Sequence, residues 1–143
     1  MEKKESKKVL AVDWGAKRIG LAVSDPTGKL ARPLAVIKHI SREENARRIL
    51  EKAREVEVDS IVMGVTYAGG DELSPSGRSA QRLAEEIERK STFKVILWDE
   101  GFTTQETKEA MINSGISRSK RRGHADDRAA AILLQNYLET QKT

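Results

Sequence analysis

The chain has 143 residues, 38% hydrophobic and 34% charged, which fits one domain with a sizeable core and a heavily charged surface. It contains no Cys, so disulfides and Cys-ligated zinc are excluded. No apolar run approaches membrane-spanning length and nothing resembles a signal peptide, so the expectation is a cytoplasmic protein with no membrane partner; the net charge of +4 is a mild hint of a polyanionic one.

Met1 to Lys8 is polar and is expected to fray. Val9 to Val12 is an apolar run that ends on a carboxylate, Asp13. A turn with Gly15 follows, and Ile19 to Val23 leads to another carboxylate, Asp25. This reads as two strands joined by a short turn. Pro26-Thr27-Gly28 marks a turn, and Leu34 to Ile40 reads as a third strand, giving an antiparallel meander. Ser41 and Glu44 form a capping box, and Ala46, Ile49, Leu50, Ala53 and Val56 repeat at helical spacing.

Ser60 to Val65 is apolar without clean alternation, as suits a parallel strand buried on both faces. Ala68 to Gly77 reads as an exposed loop. Ala80, Leu83, Ala84 and Ile87 mark a second helix. Phe93 to Trp98 is the fifth strand, ending in Asp99-Glu100. Thr103 and Glu106 make a further capping box, and the helix they open stops near Asn113-Ser114-Gly115. A basic loop, Arg118 to Arg122, precedes a final helix from about Ala125 to Tyr137 or beyond. The order predicts an α/β fold: a mixed five-stranded sheet, its first three strands antiparallel and the rest parallel, flanked by helices.

A charged group straight after a buried strand is costly unless a metal, a partner or water satisfies it, which singles out Asp13. Asp99-Glu100 also sits at a strand's carboxyl end, where parallel sheets place their sites. Alternation sends Asp99 and Glu100 to opposite faces, so one of them points inward. On the last helix, Asp126 projects onto the core-facing stripe of Ala130, Leu133 and Tyr137, while Asp127 falls nearer its edge. Helix capping and the helix dipole explain either acid alone about as well as function does.

Three carboxylates at one end of one sheet, without Cys, suit a hard cation such as Mg²⁺ or Mn²⁺. Two such ions can clamp the attacking and leaving oxygens of a phosphodiester, with a metal-bound water as nucleophile. Asp13 would bridge the metals, with Glu100 and Asp126 holding one each. Arg118, Lys120, Arg121 and Arg122, with Lys17 and Arg18 after Asp13, are placed to hold a nucleic-acid backbone, although charge runs are more often simply solvated. His124, Thr103 and Thr104 are lesser candidates for phosphate contact or proton transfer. Aromatic residues are scarce, so recognition would rest on backbone and shape.

Asp13-Trp-Gly-Ala-Lys-Arg-Ile-Gly-Leu-Ala-Val-Ser-Asp25 resembles the opening DxGxKRIGxAxSD motif of the YqgF/RuvX family, the pre-16S rRNA nucleases. Asp99-Glu100-Gly-Phe-Thr-Thr104 resembles that family's DERxTT segment, and Asp126 to Gln135 its DxxAAxxILQ helix. Those proteins are similar to Holliday-junction resolvases of the RuvC type and have a ribonuclease H-like fold. The resemblance spans nearly the whole chain. It implies that Asp13, Glu100 and Asp126 are the active-site acids and that the protein acts in maturing the 5′ end of small-subunit rRNA. This chain has Gly101 where the family has Arg, and Gly64-Val-Thr-Tyr-Ala-Gly-Gly70 where the family has a GLPxxxxG-like loop.

Other readings stand beside it. A resolvase would cut branched DNA and would need a dimer; the sequence is compatible with a monomer or a homodimer. A nucleic-acid-binding ribosome-assembly factor without catalysis would explain the absent Arg. An actin-like ATPase shares the strand–turn–strand opening but needs two domains around its nucleotide, and this length supplies one.

Overall fold

The structure, a computed structural model, describes residues 7–101 and 126–141. The first strands are β1 (Val9–Asp13), β2 (Arg18–Ser24) and β3 (Ala31–Lys38), followed by helix α1 (Arg42–Glu55) and strand β4 (Ser60–Val65). Two short strands, β5 (Tyr67–Gly69) and β6 (Glu72–Leu73), precede helix α2 (Pro75–Arg89). Strand β7 (Val95–Asp99) and helix α3 (Asp126–Thr140) complete the described elements.

The main sheet has the order β3-β2-β1-β4-β7. β1 to β3 form the expected antiparallel meander, and β4 runs parallel to both β1 and β7. Parallel pairing accounts for the unbroken apolar run of β4, because helices cover both of its faces. Leu10, Val12, Ile61 and Met63 pack with Ile49, Leu50, Leu83 and Ile87 of α1 and α2. On the opposite face Val9, Ala11, Ala22 and Val62 pack with Ala130, Leu133, Leu134 and Leu138 of α3. Each fully buried Leu or Ile contributes about 1.5–3 kcal/mol, so these two layers hold the sheet between them.

Helix α1 begins as its capping box predicts: the Ser41 hydroxyl accepts from the Glu44 N–H at 3.1 Å. Its end is a Schellman motif. The Val58 N–H reaches the Ala53 carbonyl at 3.1 Å and the Glu57 N–H the Arg54 carbonyl at 3.2 Å, with Glu57 at φ 56°.

Three segments differ from expectation, the briefest being the last strand of the sheet, which spans Val95–Asp99 rather than Phe93 to Trp98. The third strand starts at Ala31 rather than Leu34, and leaves the ladder before Ile40, whose N–H turns to Asn45 Oδ1 at 3.0 Å. β3 is an edge strand, where Pro33 and polar residues are tolerated, so apolar pattern alone missed its start. The expected loop Ala68 to Gly77 contains most of the β5–β6 hairpin and the first turn of α2. Ser74 caps that helix, its hydroxyl accepting from the Gly77 N–H at 3.0 Å, and Pro75 takes the first turn, which suits a residue without an N–H. The expected helix from Thr103 to about Asn113 lies outside the described residues.

Candidate active site

Strand alternation assigns the acids to faces before any side chain is considered. Val9 and Ala11 belong to the α3 layer, so Asp13, two residues on, faces the same way. On β7, Trp98 packs into that layer, and Glu100 follows two residues later. Asp99 therefore faces away. It is exposed, and its Oδ1 accepts from the Gly101 N–H at 2.8 Å.

Glu100 leaves β7 with its N–H bonded to the Val65 carbonyl at 2.8 Å. Its side chain then turns back over β4, the strand between β7 and β1. A β-carbon added to Gly64 would lie 2.5 Å from Glu100 Oε2, 2.7 Å from its Cγ and 2.9 Å from its Cδ. The bare α-carbon of Gly64 is thus the ground over which Glu100 passes. Beyond it, the Glu100 carboxyl hydrogen-bonds the Asp13 carboxyl. On the other side of Asp13, the directly paired residue of β2 is Gly20.

Desolvation of its carboxyl, turned back over the sheet, pushes Glu100 above the ordinary carboxylate range, although the residue as a whole is exposed. The hydrogen bond to Asp13 pulls the other way, and the charge of Asp99 adds to the rise. A hydrogen bond between two carboxyl groups needs a proton on one of them. Two carboxyl groups this close repel when both are ionised, so the pair suits a site that holds a positive charge. All donors are carboxylate oxygens, a set that fits a hard divalent cation. Among the described residues no group of three or more His, Asp or Glu is arranged to hold a metal.

Asp126 is the first residue of α3; its side chain lies outside the described residues, as does that of Asp127. The path of the helix backbone still locates its start. Gln135 is pinned to the beginning of β3, accepting from the Ala31 N–H at 2.9 Å and donating to the Lys29 carbonyl at 3.0 Å. β3 runs parallel to β1, so this is the Val9 end of the sheet. From there α3 extends about 14 Å back to Asp126, comparable to the roughly 13 Å from Val9 to Asp13. The helix start is directed toward the Asp13 end.

Lys17, in the turn after Asp13, and Arg18, at the start of β2, are exposed. That turn needs Gly15, because a β-carbon there would sit 2.2 Å from the Arg18 carbonyl oxygen. Thr103, Thr104, Arg118, Lys120, Arg121, Arg122 and His124 lie outside the described residues. Asp25, the acid that closes the opening motif, is at the far end of the sheet. Its carboxylate accepts from the Thr27 hydroxyl at 2.6 Å and from the N–H groups of Lys29 and Leu30 at 2.9 and 3.0 Å. These bonds hold its pKa down at about 2 and organise the β2–β3 turn. Sequence reasoning did not single out Gly64; a glycine near the carboxyl end of an otherwise apolar strand was the available signal.

The RuvX family model, described as Holliday junction resolvase, matches residues 7–140. A protein of Thermoanaerobacter pseudethanolicus named "Putative pre-16S rRNA nuclease" is 37% identical over 136 residues, covering 94% of this chain and 98% of its own. A Roseiflexus protein of the same name is 33% identical over 138 residues, covering 96% and 98%. Among solved structures, Thermus thermophilus RuvC in complex with Holliday junction substrate superposes with a TM-score of 0.61 at 18% identity, covering 96% of this chain and 98% of that one. The fowlpox virus resolvase bound to Holliday junction DNA gives 0.52 at 15%, covering 95% and 99%. At such identities the two structures speak for the fold, which is the ribonuclease H-like sheet described above. The match over nearly the whole chain and the full-length relatives settle the family: the chain belongs to the RuvX family of nucleases.

Proposed function

We propose that this protein is a divalent-metal-dependent endonuclease that hydrolyses phosphodiester bonds in precursor small-subunit rRNA, acting in the cytoplasm in maturation of the 5′ end. The observation that carries this reading is the Glu100 carboxyl brought onto Asp13 across Gly64. Asp13, Glu100 and Asp126 are the acids that would hold Mg²⁺ or Mn²⁺. When bound, the metal supplies electrostatic stabilisation of the charge that develops on the attacking and leaving oxygens.

The chain's own residues do the rest. Asp13 and Glu100 would present their carboxylate oxygens side by side to the cation. Gly64 leaves the room in which the Glu100 side chain lies across the strand to Asp13. Lys17 and Arg18, with Arg118, Lys120, Arg121 and Arg122, neutralise the flanking phosphates, so binding weakens steeply with salt. His124, Thr103 and Thr104 are the nearest further candidates in sequence for phosphate contact.

A second reading keeps the site and changes the substrate to a four-way DNA junction. It is favoured by the family description and by the fold shared with RuvC. The deciding experiment offers both substrates, a precursor rRNA 5′ fragment and a four-way junction, with Mn²⁺, with Mg²⁺ and with chelator. Asp13→Asn is the control. Metal-dependent cleavage of the RNA, lost in the variant, is expected. Cleavage of the junction alone would replace the RNA reading with the resolvase. Binding without cleavage of either would leave a ribosome-assembly factor.

A further inference from the structure

On the sheet face opposite the carboxylates, a cavity of about 190 Å³ is lined by Trp14, His39, Arg42, Asn45, Ser79 and Arg82. Trp14 follows Asp13 directly. Alternation turns its indole to the α1–α2 layer, so the cavity begins one residue from the acid, around the end of β1.

Its lining is rich in donors and contains no Asp or Glu. Asn45 is 1% exposed, and its two polar atoms differ in fate. Oδ1 accepts from the Ile40 N–H at 3.0 Å, whereas the Nδ2 amide has no partner. A buried donor without a partner is rare in folded proteins and calls for an acceptor. Arg42 and Arg82 line the same cavity, and neither meets a carboxylate among the described residues. Elsewhere on these helices Arg47 is held by Glu44 and Arg89 by Glu86. His39 Nδ1 lies 3.0 Å from the Gly15 carbonyl oxygen. That oxygen can only accept, so Nδ1 carries a proton and the ring is fixed edge-to-face against Trp14, with centroids 5.6 Å apart.

We propose that this cavity is a phosphate-binding site, with the guanidinium groups of Arg42 and Arg82 and the Asn45 amide as its donors. Arginine forks and a buried amide match the oxygens of a phosphate, and the absence of lining acids removes the repulsion that would reject it. The phosphate belongs either to a nucleic-acid strand that passes over the sheet edge from the carboxylates or to a free nucleotide. The site is separate from the acids, so it does not depend on the nuclease reading.

The test is titration of the full chain, followed by amide and side-chain NMR, with inorganic phosphate and with chloride at matched ionic strength. Phosphate is expected to shift the Asn45 side-chain NH₂ and the Arg42 and Ser79 amides, while chloride does not. Arg42→Gln and Arg82→Gln, both on exposed helix surface, should each weaken phosphate binding about tenfold with the rest of the spectrum unchanged. Equal shifts with chloride, or unchanged affinity in both variants, would overturn the proposal. A single-stranded RNA and adenosine monophosphate then identify the source. If Arg82→Gln weakens the RNA, the strand supplies the phosphate; if it weakens only the nucleotide, the free ligand does. Asp13→Asn should leave phosphate binding intact. A wild type that binds phosphate but cuts nothing would therefore sink the nuclease reading alone, and an active enzyme without phosphate shifts would sink the cavity alone.

Discussion

Glu100 reaches Asp13 by lying across the bare α-carbon of Gly64. One added methyl group at Gly64 would meet the carboxyl at 2.5 Å. The Glu100 side chain can swing aside, whereas strand β4 cannot. Gly64→Ala is therefore expected to keep the fold and lower metal-dependent cleavage by about a hundredfold or more, the usual consequence of a misplaced catalytic group. Cleavage rate and thermal melting of the same preparation check this. A variant as active as the parent would show that Glu100 need not touch Asp13.

Glu100→Gln separates binding from folding. Desolvation raises the Glu100 pKa, so the ionised carboxylate opposes the folded state once the pH exceeds that raised value. Above it, in chelator, Glu100→Gln should melt no lower than the parent and somewhat higher. Below the ordinary carboxylate pKa the difference should vanish. Adding Mg²⁺ or Mn²⁺ should stabilise the parent and not the variant, reversing the order. Melting curves with and without metal at two pH values decide it.

Asp25 makes the opposite pH prediction. Its pKa is lowered to about 2 from the ordinary 3.8. Its contribution to stability is complete above 3.8 and disappears as the pH falls toward 2. Asp25→Asn should be less stable than the parent near neutrality, with the gap closing through that window and with catalysis at neutral pH retained. A gap that persists at pH 2 would assign the loss to something other than the charge.

Glu57 holds the left-handed position of the α1 Schellman motif at φ 56°, where glycine is usual. Glu57→Gly removes a side chain that is strained there and exposed to solvent. The strain relieved exceeds the added unfolded-chain entropy, and a net gain of roughly 0.5–1 kcal/mol is expected. Denaturant midpoints measure it directly.

Neutralising Arg118, Lys120, Arg121 and Arg122 together should weaken nucleic-acid binding and flatten its salt dependence by up to about four phosphate contacts' worth of slope. A plot of binding constant against salt, for parent and variant, shows whether that run contacts the backbone or is merely solvated.

The fold was legible because each layer wrote a different period. β1 and β4 are unbroken apolar runs, α1 and α2 carry clean stripes, and Ser41 with Glu44 announced the first helix. Edge and hairpin segments were not legible, since Pro33 and the Ala68 to Gly77 glycines read as loop while tolerated in an edge strand and a short hairpin. For the site, strand ends pointed to Asp13 and Glu100, and alternation to the choice between Glu100 and Asp99. What stayed hidden was the role of absent side chains. Gly64 acts by leaving room, and no pattern of residue types reports a space until the neighbouring strands are ordered.

Glu100 rides on β7, which ends the described sheet and is paired, among the described residues, only with β4. Asp13, by contrast, sits on β1, clasped between β2 and β4. Fraying of the outermost strand would withdraw one acid while leaving the two apolar layers in place. On warming, cleavage should then fail before the molecule melts, and backbone amides of β7 should exchange with solvent sooner than those of β1. Such a protein would be switched off by heat reversibly, long before it is denatured.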